Sequence, residues 1–208
     1  MTVRAILFDV GGPLDLEFGW EIAMDGAIAA ACGLEGIRVD QQAVEAASER
    51  AVAAFAPDVY GHMIELLCGG EPATVERVRQ CVRGITAGLE LFQLRPDIDG
   101  LLRRLREHGL DLGIVADEPA VMMSRLERAG ISSFFIPGGT WRPSECILVG
   151  DRIDKDIAPA KALGMATILF RSGRYRRQRP RSPAEEPDAV VTDVPELAAA
   201  IDALGRTF

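Results

Sequence analysis

Aspartates follow two apolar segments that lie far apart in the chain. Asp9 follows Ile6-Leu7-Phe8, and Asp151 follows Val149-Gly150. Near-continuous apolar residues are typical of parallel strands covered on both faces, and the residue after such a strand lies at the carboxyl edge of the sheet. Open α/β folds bind their ligands at this edge. The two strand ends could therefore converge on one divalent cation.

The residues around Asp9 suit chemistry on a phosphate group. A carboxylate at a strand end can attack phosphorus and form an aspartyl-phosphate. Gly11 and Gly12 allow the backbone to approach a ligand closely, and their amides can donate to phosphate oxygens. The alternative is that Asp9 only caps the helix that follows.

The acids that begin at Asp151 suit a metal ion. Asp151, Asp154 and Asp156 lie within six residues, and such carboxylates repel one another unless a cation neutralises them. Hard oxygen ligands favour Mg²⁺, which takes one or two carboxylates and keeps several waters. The alternative is a helix N-terminus, which also favours acidic residues.

The order of apolar segments predicts the fold class. Helical patterns separate five short apolar runs, and this alternation predicts an α/β fold with a doubly wound parallel sheet. The predicted strands are Ala5–Val10, Leu110–Ala116, Cys146–Val149, Ala166–Phe170 and Ala189–Thr192. Four predicted helices follow the first strand and begin near Glu21, Asp40, Tyr60 and Thr74, and Asp97 is the predicted N-cap of a later helix.

The first connection is far longer than the dozen or so residues that a crossover needs. Its helical patterns predict an inserted α-helical cap at residues 17–91, and the core domain then comprises residues 1–16 and 92–208. We expect the cap to lie above the carboxyl edge of the sheet, over Asp9.

Composition excludes several classes of protein. The net charge of -8 argues against a nucleic-acid-binding face, and no stretch is long and apolar enough for a membrane span. The four cysteines are widely spaced and two histidines are few for a zinc site, so reduced thiols are expected. The short N-terminal apolar run carries Asp9, which does not fit a signal peptide, and these features predict a cytoplasmic protein. Oligomeric state does not follow from them.

One basic segment contrasts with the acidic chain. Six of the residues from 171 to 181 are arginines, and none is acidic. The segment is either a solvated loop or a rim that attracts anions, because guanidinium groups match phosphate oxygens well.

Two motifs resemble those of the haloacid dehalogenase-like hydrolases, a superfamily with a Rossmann-like core. They are the segments Phe8-Asp9-Val10-Gly11-Gly12-Pro13-Leu14 and Val149-Gly150-Asp151-Arg152-Ile153-Asp154-Lys155-Asp156-Ile157. The long helical insert resembles the cap of that superfamily, and Pro159-Ala160-Lys161-Ala162-Leu163-Gly164-Met165 also matches. The resemblance covers most of the chain.

The resemblance implies roles for individual residues. Asp9 would be the nucleophile and a ligand of Mg²⁺, and the backbone carbonyl of Gly11 would be a second ligand. Asp151 would also bind the metal, and Asp156 or, less favoured, Asp154 would support it through metal-bound water. The cap would exclude solvent and select the substrate.

The chain departs from the phosphatase branch of this superfamily at three motifs. Gly11 stands where a second aspartate usually acts as general acid and base. Ala116 stands where a serine or threonine binds phosphate, so it offers its backbone alone, and Asp117 adds a negative charge beside it. The usual lysine has no counterpart, because the segment between Phe135 and Pro143 is shorter than in relatives. Arg142 in this segment is a weak substitute for it.

These features predict a Mg²⁺-dependent phosphatase that acts on a small phosphorylated metabolite. One alternative is a catalytically impaired protein of this fold that binds or regulates. Another is a dehalogenase-type hydrolase, which needs neither the second aspartate nor a metal.

Overall fold

The computed structural model describes residues 2–116 and 119–207, without the side chains of residues 119, 120, 206 and 207. The chain divides into two compact units. One unit comprises Met1–Leu16 and Phe92–Phe208, and the other comprises Glu17–Leu91.

The first unit contains a five-stranded parallel sheet. Its strands are β1 (Ala5–Phe8), β2 (Asp111–Ile114), β3 (Cys146–Gly150), β4 (Ala166–Phe170) and β5 (Ala189–Val191). They are arranged in the order β2-β1-β3-β4-β5. The α/β prediction and all five predicted strands are confirmed, with ends shifted by one or two residues.

Eight α-helices occur among the described residues. In the second unit they are α1 (Phe18–Leu34), α2 (Gln41–Ala53), α3 (Val59–Leu67) and α4 (Pro72–Thr86). In the first unit they are α5 (Ile98–Glu107), α6 (Pro119–Arg128), α7 (Ala158–Leu163) and α8 (Val194–Thr207). None of these helices combines the length and apolar character that a membrane span requires.

The core of the first unit lies between the sheet and its helices. Leu101, Leu102 and Leu105 of α5 are almost fully buried, which is the periodicity of an amphipathic helix with one apolar face. Ile6 and Ile147 on the central strands are fully buried as well. This packing holds the ends of the central strands rigidly.

The second unit is entirely helical in its regular structure. The Asp40 carboxylate accepts a hydrogen bond of 2.8 Å from the amide of Ala43 and caps α2, as predicted. Along α2, Val44, Ala47 and Ala51 are buried at helical spacing. The assignment of this unit as a cap stays a prediction.

Two local features concern the start of α5 and the segment between α6 and β3. Asp97 is the N-cap residue of α5, as predicted, but its φ of 64° is left-handed and its side chain makes no capping hydrogen bond. Between α6 and β3 the described chain has only short 3₁₀ turns, at Ser132–Phe134 and Pro143–Glu145. This shortened segment leaves no additional helix on which a lysine could be placed.

Candidate active site

The two acidic loops meet because β1 and β3 are neighbours. Phe8 pairs with Val149 across the sheet, and the Asp9 amide donates a hydrogen bond of 2.8 Å to the carbonyl of Val149. In a sheet of this order the chain runs in opposite directions from β1 and from β3, which opens a crevice at their carboxyl ends. Asp9 and Asp151 therefore both lie at the place where such folds bind ligands.

Three carboxylates converge at this edge. Asp9, Asp151 and Asp156 each place one oxygen within 4.8 Å of the oxygens of the other two. Asp151 is only 3% exposed. Carboxylates held this close repel one another, and a cation between them relieves the repulsion.

Two glycines allow this convergence. Gly12 has a φ of +76°, and a Cβ on it would lie 2.7 Å from the Cβ of Asp151. A Cβ on Gly150 would lie 2.5 Å from the Cβ of Asp156. Because real Cβ atoms do not approach so closely, both positions require glycine. The backbone thus forms a close-fitting cradle around the acids.

A π-helical turn at Ile153–Ile157 places Asp156. The amides of Asp156 and Ile157 both donate to the carbonyl of Arg152, at 3.1 and 3.2 Å. The regular α-helix α7 begins only after this turn, at Ala158. Such turns insert one extra residue and are frequent at functional sites.

Asp156 is held by the backbone of its own loop. Its Oδ2 accepts a hydrogen bond of 2.8 Å from the Arg152 amide. Burial nevertheless raises the pKa of Asp156 to about 6, because the charged form loses solvation and the nearby Asp154 charge adds repulsion. The amide hydrogen bond and the Arg152 charge act in the opposite direction.

Asp154 is engaged elsewhere. Its Oδ2 accepts a hydrogen bond of 2.6 Å from Nη2 of Arg152, and its Oδ1 accepts one of 3.2 Å from Nε. Gln178 also donates to Oδ1, at 3.1 Å. Burial alone would lower the pKa of Arg152, but this ion pair holds it above its ordinary value. Asp154 therefore balances Arg152, and the structure brings Asp156 to the acid cluster instead.

Arg95 is a residue of this site that sequence reasoning missed. Its guanidinium group donates to the Gly12 carbonyl through both Nε and Nη2, and the Nε distance is 2.8 Å. Nη2 also donates to Ser172 Oγ at 2.6 Å, and the group stacks 4.4 Å from the centroid of the Phe170 ring. A lone arginine before Pro96 carries no signal in the sequence, because only the fold brings it to the glycine loop.

The other predicted residues lie at different places. Gly11 forms an isolated bridge with Asp15 beside the acidic loop. Ala116 lies just beyond β2, at the same edge as Asp9, where the Val115 amide donates to the Phe8 carbonyl at 2.8 Å. Asp117 lies outside the described residues.

Arg142 lies at the opposite edge of the sheet. It comes before β3 and its amide donates to Glu145, whereas the acids follow the carboxyl end of the strand. The nearby Trp141 donates to Asp111 at the first residue of β2. The structure does not bring Arg142 to the edge that holds Asp9 and Asp151, since parallel strands place their two ends on opposite sides of the sheet.

The site fits a hard divalent cation. Carboxylate oxygens are ligands that Mg²⁺ prefers, and within the described residues the acid cluster includes no thiol or imidazole.

Comparisons with known proteins agree with this geometry. A family model described as HAD-hydrolase-like matches residues 117–197. The glyceraldehyde 3-phosphate phosphatase of Methanopyrus kandleri is 32% identical, over 53% of this chain and 58% of its own length. The ribulose-1,5-bisphosphate 5-phosphatase of Halopiger xanaduensis is 30% identical, over 50% of this chain and 48% of its own.

A solved structure shares the fold of this protein over nearly the whole chain. A putative phosphatase from Clostridium difficile superposes with a TM-score of 0.68 at 18% identity, and covers 98% of this chain and 99% of its own. The chain spans about half the length of the curated relatives it matches. Together, the family match and the shared fold confirm the resemblance to the haloacid dehalogenase-like hydrolases.

Proposed function

We propose that this protein is a Mg²⁺-dependent phosphatase that hydrolyses a small phosphorylated metabolite through an aspartyl-phosphate on Asp9. The convergence of Asp9, Asp151 and Asp156 at one edge of the sheet is the observation that carries the proposal. The similarity to a glyceraldehyde 3-phosphate phosphatase supports both the reaction and the size of the substrate.

The residues that would hold the metal follow from the cluster. Asp9 and Asp151 would be direct carboxylate ligands, the Gly11 carbonyl would be a backbone ligand, and Asp156 would hold metal-bound water. When bound, Mg²⁺ neutralises the acids and polarises the phosphoryl group. The Gly11 and Gly12 amides are the candidate donors to the phosphate oxygens.

Asp9 would attack phosphorus and displace the alcohol of the substrate. Water would then attack the phosphorus of the aspartyl-phosphate, so that inorganic phosphate leaves and the Asp9 carboxylate is restored. Because Gly11 has no side chain, it cannot protonate the leaving alcohol, and loss of a general acid typically costs about a hundredfold to ten-thousandfold in rate. Esters of acidic alcohols should therefore react fastest.

We also propose that residues 17–91 act as a cap that limits access of solvent and selects the substrate. This role is consistent with a compact helical unit inserted after the acidic loop of β1. Closure of such units commonly excludes water from the reacting group.

A second candidate is a protein that binds a phosphorylated ligand without turnover. The positions of the two lysines favour this candidate. Lys155 is exposed, and Lys161 forms an ion pair of 3.1 Å with Asp188. Gly11 and Ala116 also lack the usual polar side chains.

The test is phosphate release from a panel of small phosphomonoesters, with Mg²⁺ and with EDTA. We expect release that requires Mg²⁺, is lost in Asp9→Asn and persists in Asp154→Asn, whose carboxylate lies outside the acid cluster. Circular dichroism checks that both variants fold. If tight ligand binding is observed without release from any ester, the second candidate replaces the first.

A further inference from the structure

The arginine-rich segment of residues 171–181 is linked by hydrogen bonds to the loop after β1 and to the loop after β3. Ser172 accepts from Arg95, which also holds the Gly12 carbonyl. Tyr175 accepts a hydrogen bond of 3.1 Å from Nη1 of Arg152, and the Arg152 guanidinium lies 4.6 Å from the centroid of the Tyr175 ring. These contacts fix the first half of the segment beside the candidate active site.

Gln178 fastens the second half. Its side chain is almost fully buried, and its Oε1 accepts a hydrogen bond of 2.7 Å from the Ile153 amide at the start of the π turn. Its Nε2 donates to Asp154. A freely solvated loop would not bury a glutamine in this way, so the segment is an ordered part of the site's edge.

Some of the charges near this segment are matched by carboxylates, and others are not. Arg152 pairs with Asp154, and Arg181 pairs with Glu185 at 2.5 Å. Arg179 is exposed, and among the described residues it donates to the carbonyl of Gln178, at 3.1 Å. Arg176 donates to the carbonyl of Gly173, at 2.7 Å. Within residues 2–116 and 119–207, no carboxylate pairs with Arg171, Arg176 or Arg179.

Part of the charged group of Arg171 is buried. Its Nε is inaccessible to solvent and has no hydrogen-bond partner among the described residues. Burial and the charge of Arg179 both lower the pKa of Arg171. A buried donor without an acceptor is destabilising, and a second cation nearby adds repulsion. An anion between the two guanidinium groups would relieve both penalties.

The position of Arg171 matches that of a substrate-binding group. It directly follows β4, which pairs with β3 so that Leu169 lies beside Gly150. Its amide donates to Val191 at the end of β5. Arg171 is therefore at the carboxyl edge of the sheet, directly after β4, the neighbour of the strand that leads to Asp151.

We propose that Arg171 and Arg179 bind a second anionic group of the substrate, a carboxylate or another phosphate. Arginine is suited to this role because its planar fork donates two hydrogen bonds to such groups. The inference rests on the proposed phosphatase function and narrows its substrate class to phosphate esters with a second negative charge.

The kinetic test compares carboxymethyl phosphate with ethyl phosphate, which has a methyl group in place of the carboxylate. Arg171→Gln should raise KM for carboxymethyl phosphate about tenfold or more, the usual cost of a lost charged hydrogen bond, and leave ethyl phosphate unchanged. Arg181→Gln is the matched control, since it removes an arginine that Glu185 already neutralises. Equal effects of Arg171→Gln on both esters would overturn the inference.

A binding test separates this inference from the proposed function. Pyrophosphate is titrated into the metal-free protein in EDTA by calorimetry, under conditions that do not require turnover. Weaker binding in Arg171→Gln than in the parent and in Arg181→Gln supports the anion site even if no ester is hydrolysed. No binding by the parent, or equal binding by all three proteins, contradicts it.

Discussion

Asp156 combines two requirements that conflict in the metal-free protein. Its position beside Asp9 and Asp151 suits a group that holds metal-bound water, which needs the ionised form. Burial favours the protonated form and raises the pKa of Asp156 to about 6. A bound cation would resolve the conflict by stabilising the carboxylate.

This conflict predicts a pH dependence of stability. Since the pKa of Asp156 is higher in the folded protein than its ordinary value of 3.8, the folded state binds the proton more tightly. The resulting stabilisation, about 3 kcal/mol, is complete below pH 4 and is lost as the pH rises through 6. In EDTA, the difference in unfolding free energy between the parent and Asp156→Asn should therefore fall over this range.

Urea denaturation at pH 4, 5, 6 and 7 measures this difference, and the variant serves as the reference for all other titrating groups. Mg²⁺ added at pH 7 should stabilise the parent more than the variant. An unfolding free energy that changes with pH in parallel for both proteins would show that Asp156 has an ordinary pKa.

At the scale of secondary structure, the end of β3 and the π turn form one unit. Gly150 ends the strand, and its hydrogen atom occupies the space where a side chain would collide with Asp156. The turn then brings the Asp156 carboxylate within hydrogen-bond distance of the Arg152 amide. The conformation of this short stretch therefore determines the position of one carboxylate of the cluster.

Gly150→Ala tests this unit. The added Cβ would overlap Asp156, so we expect a loss of about 1–3 kcal/mol in the free energy of unfolding together with weaker Mg²⁺ binding. Gly100→Ala is the matched control, because a Cβ there meets nothing within 4 Å and alanine stabilises a helix by about 1 kcal/mol relative to glycine. Thermal denaturation and Mg²⁺ calorimetry measure both effects. Mg²⁺ binding unchanged in Gly150→Ala would contradict the account.

Much of the fold was predictable from the sequence, and so were the three clustered acids, with Asp156 preferred to Asp154 through the family resemblance. Strands such as Cys146–Gly150 are short continuous apolar runs, and a residue at the end of a strand is readily placed at the edge of the sheet. The sequence pattern did not place Arg95 or the π turn, because both depend on tertiary contacts. Arg142 was assigned by its position near a missing motif, and the direction of β3 places it at the other edge.

At the scale of the whole molecule, two compact units divide the tasks of the proposed enzyme. The unit formed by residues 1–16 and 92–208 contains the acid cluster, Arg95 and the arginine-rich segment. The helical unit of residues 17–91 contributes none of the three clustered carboxylates. On this division, substitutions in the helical unit should change substrate preference more than metal binding.

The central claim is that Asp9 forms a covalent phosphoryl intermediate. The most direct measurement mixes the protein with Mg²⁺ and a reactive phosphate ester, quenches turnover with acid and locates the phosphoryl group by peptide mass spectrometry. The account predicts a phosphoryl group on Asp9 in the parent and neither label nor phosphate release in Asp9→Asn. A phosphoryl group on another side chain, or undiminished phosphate release by Asp9→Asn, would contradict it.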